Sequence, residues 1–498
     1  MLCLTRRFTC IYVLLAVAFL CALPAFSQTI TTGDITGVVS DSTGAIVPNA
    51  TVTLKFAATN ETRSTTSNTA GQYRFSLLAP GEYTISGATA GLKSGTARIN
   101  VNVGQAQELN LTLSVQGTQE VIEVRAEAAV IQTENANLST SVSTKQVVEL
   151  PMNGGDLTTV AFTVPGVRMN VGGGNGNLNA NGIPLTSVLF TLNGADVMDP
   201  YNNLNNSGAS NNLLGANEVA EAAVVLNAYS PQYGRMAGAQ VNLIGKNGTN
   251  SFHGNLVYNY NDAIFDANSF FLNAAGTPRA RSVANLYGGA IGGPIRKNKT
   301  FFFFDLEGLR YALPTGGVVS VPTVELENYA LAHAAPSALP LYQAAIKLWN
   351  NASGLSRAVP VTNGSGTLQD RNNHLGCGTR NFGAGTSAAF PANPFVNGTS
   401  GPRFGIDVPC ARAWATTNSS VNVENYLVAK ADHTLTDKQK LNFRYQYDWG
   451  LQATGTSAIS HLFDSKSSQP QHQGQMTYTY LITPRLVNNA IEIGRAHV

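Results

Sequence analysis

Apolar and polar positions alternate along most of this chain, and the alternation changes character part-way. Early on it comes in short runs. Residues 51–56 and 109–115 alternate strictly, and residues 35–40, 73–77 and 82–86 are further strand candidates. Turn residues separate them, at 41–44, 68–71 and Pro80-Gly81. Short strands at this spacing, each with one apolar face, predict an all-β sandwich. From Ser251 the runs lengthen and one face becomes aromatic. Phe252, Gly254, Leu256, Tyr258 and Tyr260 alternate with His253, Asn255, Val257 and Asn259. Leu441, Phe443, Tyr445, Tyr447 and Trp449 alternate with Asn442, Arg444, Gln446 and Asp448, and Met476, Tyr478 and Tyr480 with Gln475, Thr477 and Thr479. Phe302, Phe304 and Leu306 against Phe303, Asp305 and Glu307 is a mixed case. Soluble sheets also alternate. Charges such as Arg444 and Asp448 opposite a large aromatic face favour a strand with lipid on one side and a watery lumen on the other.

Strand candidates fall at 251–261, 282–291, 300–311, 422–433, 439–449, 474–482 and from 486. Their connections alternate long and short. The short ones are 292–299, 434–438 and 483–485; the long ones start at Asp262, Ala312 and Gly450. Outer-membrane barrels have short periplasmic turns and long external loops. The loop from Ala312 to about Val421 carries a helical piece at 325–349, interrupted by Pro336 and Pro340. Between the two β regions the pattern is mixed. Ser143 with Gln146 three residues on is a capping-box helix start, stopped by Pro151. A second short helix is expected from Asp156 to near Thr163, then a strand at 187–192 closed by the turn Asn193-Gly194. Residues 218–226 form an apolar run.

Composition narrows the class. The chain has 498 residues, a formal net charge of +2 and a mean hydropathy of −0.02. No global field points to nucleic acid. Charged residues are 12%, about half the roughly 25% usual in soluble proteins. Asn, Thr, Ser, Gly and Gln supply the polarity instead. At the N-terminus, Arg6 and Arg7 precede an apolar run and then Ala25-Phe26-Ser27, the layout of a secretory signal peptide cut after Ser27. A membrane anchor is the alternative, for which the run is short. Of five cysteines only Cys377 and Cys410 lie beyond this segment. In an oxidising compartment they are a candidate disulfide.

Two family resemblances follow. The order Gly37-Val-Val, Gly44, Pro48-Asn-Ala-Thr-Val, Gly71-Gln-Tyr-Arg-Phe and Leu78-Ala-Pro-Gly-Glu-Tyr resembles the carboxypeptidase-regulatory-like domain. That resemblance implies a transthyretin-like sandwich with a structural or docking role, or carbohydrate binding, and no peptidase chemistry. Glu149-Leu-Pro151, Thr163-Val-Pro-Gly166, Leu192-Asn-Gly194, Asn217-Glu-Val219 and residues 229–238 resemble the plug of TonB-dependent receptors. Such plugs commonly read Asp-Gly where Asn193-Gly194 stands. Residues 245–254, 288–295 and 300–310 resemble Oar-like receptors of that family. The implied fold class is mainly β: a transthyretin-like β-sandwich, an α+β plug and the first strands of an incomplete antiparallel transmembrane β-barrel. The expected divisions are 1–27 signal peptide, 28–117 sandwich, 118–248 plug, 249–491 barrel and 492–498 an artefactual tail that breaks the alternation. Receptors of this family carry about 22 strands, so the chain is expected to be an N-terminal portion.

For function, Glu120-Val121-Ile122-Glu123-Val124 is a candidate TonB box, a segment that would add as a strand to the TonB energy-coupling complex. An ordinary first strand of the next domain is the alternative. The resemblance places the ligand-facing plug loops at Asn175, Asn177, Asn179 and Asn181, and at Tyr201, Asn202 and Asn203, with the loop holding Cys377 and Cys410 outside. The ligand would be a saccharide, a peptide or a metal chelate, and the other partner is outer-membrane lipid. No hydrolase, phosphate-loop or paired-carboxylate signature occurs, and the histidines lack metal-ligand spacing. The reading is therefore a non-enzymatic transporter without cofactor or metal, against a surface adhesion protein that uses the barrel as an anchor.

Overall fold

The computed structural model describes residues 31–115, 138–143, 146–147, 157–169, 178–183, 188–198, 213–226, 238–268, 270–274, 279, 281–360, 411–457, 459–468, 470–483 and 486–497. They form three successive units, all mainly strand. Among them no helix is long and apolar enough to cross a membrane.

The N-terminal unit has nine strands: β1 (Gly33–Asp41), β2 (Thr51–Phe56), β3 (Thr62–Thr66), β4 (Gln72–Leu78), β5 (Gly81–Thr89), β6 (Leu92–Lys93), β7 (Ala97–Val101), β8 (Ala106–Glu108) and β9 (Leu111–Val115). The pairing order is β3-β2-β5-β6-β9-β1-β4, with β7 on β5 and β8 on β1. Period-2 burial along β2, β4, β5 and β7 sends Val52, Leu54, Tyr73, Phe75, Tyr83, Ile85 and Ile99 into one core. Gly37 permits the close approach of β1 to Leu109, because a Cβ there would lie 1.8 Å from the Leu109 carbonyl oxygen. The Tyr73 hydroxyl donates to that same oxygen at 2.5 Å.

The middle unit holds β10 (Leu138–Ser143), β11 (Val167–Met169), β12 (Leu178–Ala180), β13 (Leu189–Leu192), β14 (Ala195–Asp196), β15 (Val219–Leu226) and β16 (Ala239–Gly245). Five strands form a sheet in the order β10-β15-β16-β13-β14, in which β13 runs parallel to β16. β16 is buried throughout and β15 nearly so, so both faces of this sheet are covered. Val219, Val224, Val241, Leu243 and Phe190 pack against the 3₁₀ helix Leu157–Thr163, which stands where the second short helix was expected. The capping box forms: the Ser143 N–H donates to Gln146 Oε1 at 2.9 Å, and the Gln146 N–H faces Ser143 Oγ at 3.4 Å. Asn193 and Gly194 both take positive φ, 52° and 80°, as a type I′ hairpin requires.

The third unit is one long antiparallel sheet: β17 (His253–Asp262), β18 (Val283–Arg296), β19 (Thr300–Pro322), β20 (Val359–Pro360), β21 (Ala411–Thr436), β22 (Gln439–Gly455), β23 (Ser465–Ser467), β24 (Gln471–Thr483) and β25 (Leu486–His497). The path is β17-β18-β19-β21-β22-β24-β25, with β20 on β21 and β23 on β22. Every strand candidate is present, but several ends differ. β18 runs to Arg296, so the short turn is 297–299 rather than 292–299. β19 and β21 pair from Thr300 with His433 out to Pro322 with Ala411, so residues 312–322 and 411–421 are strand rather than loop. Pro314, Gly316 and Gly317 read locally as breakers, yet the partner strand supplies the pairing that local propensity does not. The expected helical piece is two helices, Val324–His333 and Leu339–Asn350, with Pro340 in the first turn of the second. Residues 492–497 also pair, to the end of β25. Their register sets Ile491 and Ile493 opposite Thr477 and Gln475, and Glu492 opposite Met476, reversing the polarity of the two faces of β24.

Candidate functional site

Strand periodicity gives the third unit two unlike faces. Leu256, Tyr258, Tyr260, Phe304, Leu306, Phe443 and Met476 are exposed on one. Asp305, Glu307, Tyr426, Lys430, Arg444, Gln446, Asp448 and Gln475 are buried on the other. Cross-strand register groups the second set: Glu307 pairs with Tyr426, Phe303 with Lys430, and Lys430 with Arg444. An aromatic and aliphatic outer face over a charged inner face is the arrangement of a lipid-facing barrel wall. The 23 residues of β19, at about 3.3 Å each, far exceed the roughly 25 Å apolar band of such a wall. The β19–β21 hairpin therefore projects beyond it. At its far end Arg412 Nη2 bonds Asn350 Oδ1 at 2.7 Å and Glu327 Oε1 at 3.2 Å, which holds the two helices to the hairpin. One expected result follows for the outer face. Leu256 is 92% exposed, so Leu256→Lys should destabilise the barrel in bilayers by about 2–4 kcal/mol, the cost of a lysine near mid-membrane. Urea titration of the protein folded into vesicles measures it, and a loss near zero contradicts a lipid-facing Leu256.

The charged inner face closes on the middle unit. Glu307, on β19, accepts the backbone N–H groups of Gly215 and Asn217 at 3.0 and 2.8 Å. Asn255, on β17, donates to Asn217 Oδ1 at 2.7 Å. Gly288, on β18, leaves room for the Asn217 amide, which would lie 3.0 Å from a Cβ. Glu218 follows, fully buried. Arg444 clamps its carboxylate from Nε and Nη2 at 2.7 and 2.8 Å, the Tyr426 hydroxyl donates at 2.9 Å, and Lys430 Nζ lies 3.7 Å away. Lys430 also donates to the Lys246 carbonyl at 2.8 Å, and Lys246 Nζ to the Asn217 carbonyl at 2.9 Å. Gln475, on β24, donates to the Asn193 carbonyl at 2.8 Å, and Arg495, on β25, to the Met198 carbonyl at 2.8 Å. All seven strands of the main path thus touch the middle unit through polar groups, and Leu214 adds a small apolar cluster with Leu309, Tyr426 and Val428.

The electrostatics follow from this packing. Burial by itself would raise the Glu218 pKa. The Arg444 charge and hydrogen bonds, helped by Lys430 and the Tyr426 hydroxyl, more than reverse that and hold it at about 2. Lys246 is lowered, because burial outweighs the favourable charges of Asp305 and Glu307. A second buried carboxyl, Glu221, faces the N-terminal unit. It accepts the Val103 N–H at 3.1 Å with no cationic partner among the described residues, and burial pushes it up to about 7 against the opposing Val103 hydrogen bond. Among the described residues no group of three His, Cys, Asp or Glu could hold a metal ion. The seam is chemically a grip: it holds two bodies through charge-assisted hydrogen bonds that water can replace.

The sequence-derived site residues fare unevenly. Glu120, Val121, Ile122, Glu123, Val124, Asn175, Asn177, Tyr201, Asn202, Asn203, Cys377 and Cys410 lie outside the described residues, as do the expected signal segment and Pro151. Asn179 pairs with Arg168 between β11 and β12. Asn181 makes the next turn, with φ 51° and its N–H on the Gly166 carbonyl at 2.9 Å. Asn193 does more than turn the chain, since its Oδ1 accepts the Gly245 N–H at 2.8 Å. Arg444 and Asp448 stand on the inner face, as their alternation implied. Glu218, Glu307 and Lys430 were not singled out as a site. The available signal was a charge at the edge of an apolar run for Glu218, and charges interrupting apolar stretches for Glu307 and Lys430.

Family models match two parts of the chain. Residues 34–114 match the carboxypeptidase regulatory-like domain, and residues 244–494, half of the chain, match the outer membrane beta barrel domain. The TonB-dependent transporter Oar of Myxococcus xanthus is 24% identical over 246 residues, covering 47% of this chain and 22% of that protein. The ferric enterobactin receptor of Pseudomonas aeruginosa, solved with enterobactin, is 12% identical with a TM-score of 0.39, over 71% of this chain and 40% of that one. The outer membrane transporter YddB of Escherichia coli is 10% identical with a TM-score of 0.40, over 69% and 36%. The chain thus spans less than half the length of these relatives. A charged inner face, an apolar outer face and this match together assign the chain to the outer membrane beta barrel domain family, and to the outer membrane.

Proposed function

We propose that this chain is the N-terminal part of a TonB-dependent receptor that carries a ligand across the outer membrane. In this reading the first unit is a transthyretin-like sandwich in the periplasm, the middle unit is the plug, and the third is the first part of the barrel. The grip of Arg444, Tyr426 and Lys430 on Glu218 carries the reading. A domain meant to stay put would be fixed by an apolar core. A domain meant to be shifted by traction is better held by polar contacts, because a lumen can rehydrate each one as it breaks. Coupling would run through Glu120, Val121, Ile122, Glu123 and Val124, pairing as a strand with TonB. The ligand would be a saccharide, peptide or metal chelate, met by the Asn-rich plug loops and the external loop of Cys377 and Cys410.

The test is binding of the purified receptor to the periplasmic domain of TonB. Ile122→Pro removes a strand hydrogen bond and is expected to weaken binding at least tenfold, while Thr118→Pro, outside the segment, leaves it unchanged. Equal binding by wild type and Ile122→Pro would remove the segment from the coupling role. No binding by any form would favour a surface adhesion protein anchored by its barrel.

A further inference from the structure

The N-terminal unit does not hang free of the rest. Val103, at the turn between β7 and β8, is 1% exposed because it sits on Ala223 and Ile244 of the middle-unit sheet. Its N–H reaches Glu221 on the same sheet face, and Thr31 abuts Gly194, where a Cβ would lie 3.2 Å from its methyl group. The same unit also holds the rim of the barrel sheet. Asn250, just before β17, donates its N–H to the Ala58 carbonyl at 3.0 Å. Asn298, in the turn between β18 and β19, accepts from Asn60 Nδ2 at 3.2 Å and from Asn250 Nδ2 at 2.7 Å. Glu61 pairs with Lys440 at the start of β22. One small domain therefore spans from the plug sheet to three places on the short-turn end of the barrel wall.

We propose that this domain is a reversible clasp, which fastens the plug to the barrel from the periplasmic side and must let go when the plug moves. The proposal rests on the transporter reading for the direction of movement. Two features argue for reversibility. Among the described residues the apolar cluster at the contact is small, Val103, Ala223 and Ile244, and polar bonds accompany it. Interfaces between domains that are neither large nor hydrophobic permit relative motion. Beneath the clasp lies a cavity of about 750 Å³, bounded by Phe56 and Glu61 of the sandwich, Asn193 and Gly245 of the plug, and Lys430 and Arg444 of the barrel. The docked sandwich thus covers the underside of the grip on Glu218. The candidate coupling segment lies in sequence between Val115, the last residue of the sandwich, and Leu138, the first of the plug sheet. Traction there pulls on clasp and plug together.

The experiment uses the full-length receptor in cells, with Cys377→Ser and Cys410→Ser. Ala223→Cys reports the docking, because Ala223 is 2% exposed under the clasp. A small maleimide is the probe, with TonB energised or with a protonophore added. Labelling is expected to be slow without energy and at least tenfold faster with it. Adding Asn60→Cys and Asn298→Cys, joined by a short reducible thiosulfonate linker, should abolish the increase, and reduction should restore it. Fast labelling in de-energised cells would overturn docking. Slow labelling that ignores energisation, with the linked pair formed, would overturn release and make the domain a fixed anchor. Neither result touches the transporter reading, whose failure would show separately as absent TonB binding.

Discussion

Replacing Arg444 with methionine is expected to loosen the middle unit by about 3–5 kcal/mol, the cost of stranding one partner of a buried ion pair. Glu218 would lose both bonds of its clamp, at 2.7 and 2.8 Å, and keep only Tyr426 and the more distant Lys430. The readout is the urea midpoint at which the middle unit becomes open to protease while the barrel sheet stays folded. The pH dependence has a definite sign. The Glu218 pKa is depressed to about 2 from its ordinary value of 4.5. Its contribution is complete above about 4.5 and is lost as pH falls toward 2. Acid should release the middle unit of the wild type in that window, and the window should shrink in Arg444→Met. Glu218→Gln keeps the shape but loses the charge, and should fall between the two.

The second large effect has the opposite sign. Glu221 is raised from 4.5 to about 7 by burial, beside Val103 of the N-terminal unit. A raised carboxyl stabilises the docked state fully below about 4.5, and that stabilisation is lost as pH rises through 7. Docking should therefore weaken with rising pH by up to about tenfold per unit within that window, or on the order of 3 kcal/mol in all. Glu221→Gln, which stays neutral and can still accept the Val103 N–H, should dock equally well at pH 5 and pH 8. The labelling rate of Ala223→Cys across that range measures both forms. A flat profile in the wild type would mean that Glu221 ionises without resistance in the docked state.

The parts of this architecture that could be read from sequence are those whose period is local. β22 and β24 announced themselves through Phe443, Tyr445, Tyr447 and Met476, because each outward aromatic or thioether residue alternates with Arg444, Gln446 or Gln475. The hairpin turn at Asn193-Gly194 was legible for the same reason, since two positive φ values demand such residues. β10 was not legible. Its sequence, Leu-Ser-Thr-Ser-Val-Ser, has little strand character, and it is ordered by pairing with β15 from Leu138–Leu226 to Ser143–Glu221. The extended ends of β19 and β21 were hidden likewise, by Pro314 and two glycines whose conformation the partner strand dictates. The grip was hidden by separation along the chain. Glu218 and Arg444 are 226 residues apart, and nothing in either neighbourhood names the other. Glu218 opens an apolar run and looks like its polar edge. Only the fold turns it into the centre of the seam.

Contact between Glu218 and Arg444 is what seats the middle unit against the inner face of the barrel wall. The most direct measurement is the coupling energy between them, from the release midpoints of the middle unit in wild type, Glu218→Gln, Arg444→Met and the double variant in native outer membranes. A middle unit seated by this pair should leave the double variant far less damaged than the sum of the singles, with a coupling above about 1.5 kcal/mol, as expected of charged groups in contact. Additive losses, with a coupling within about 0.5 kcal/mol of zero, would mean that the two residues do not touch and that the middle unit is not seated as described.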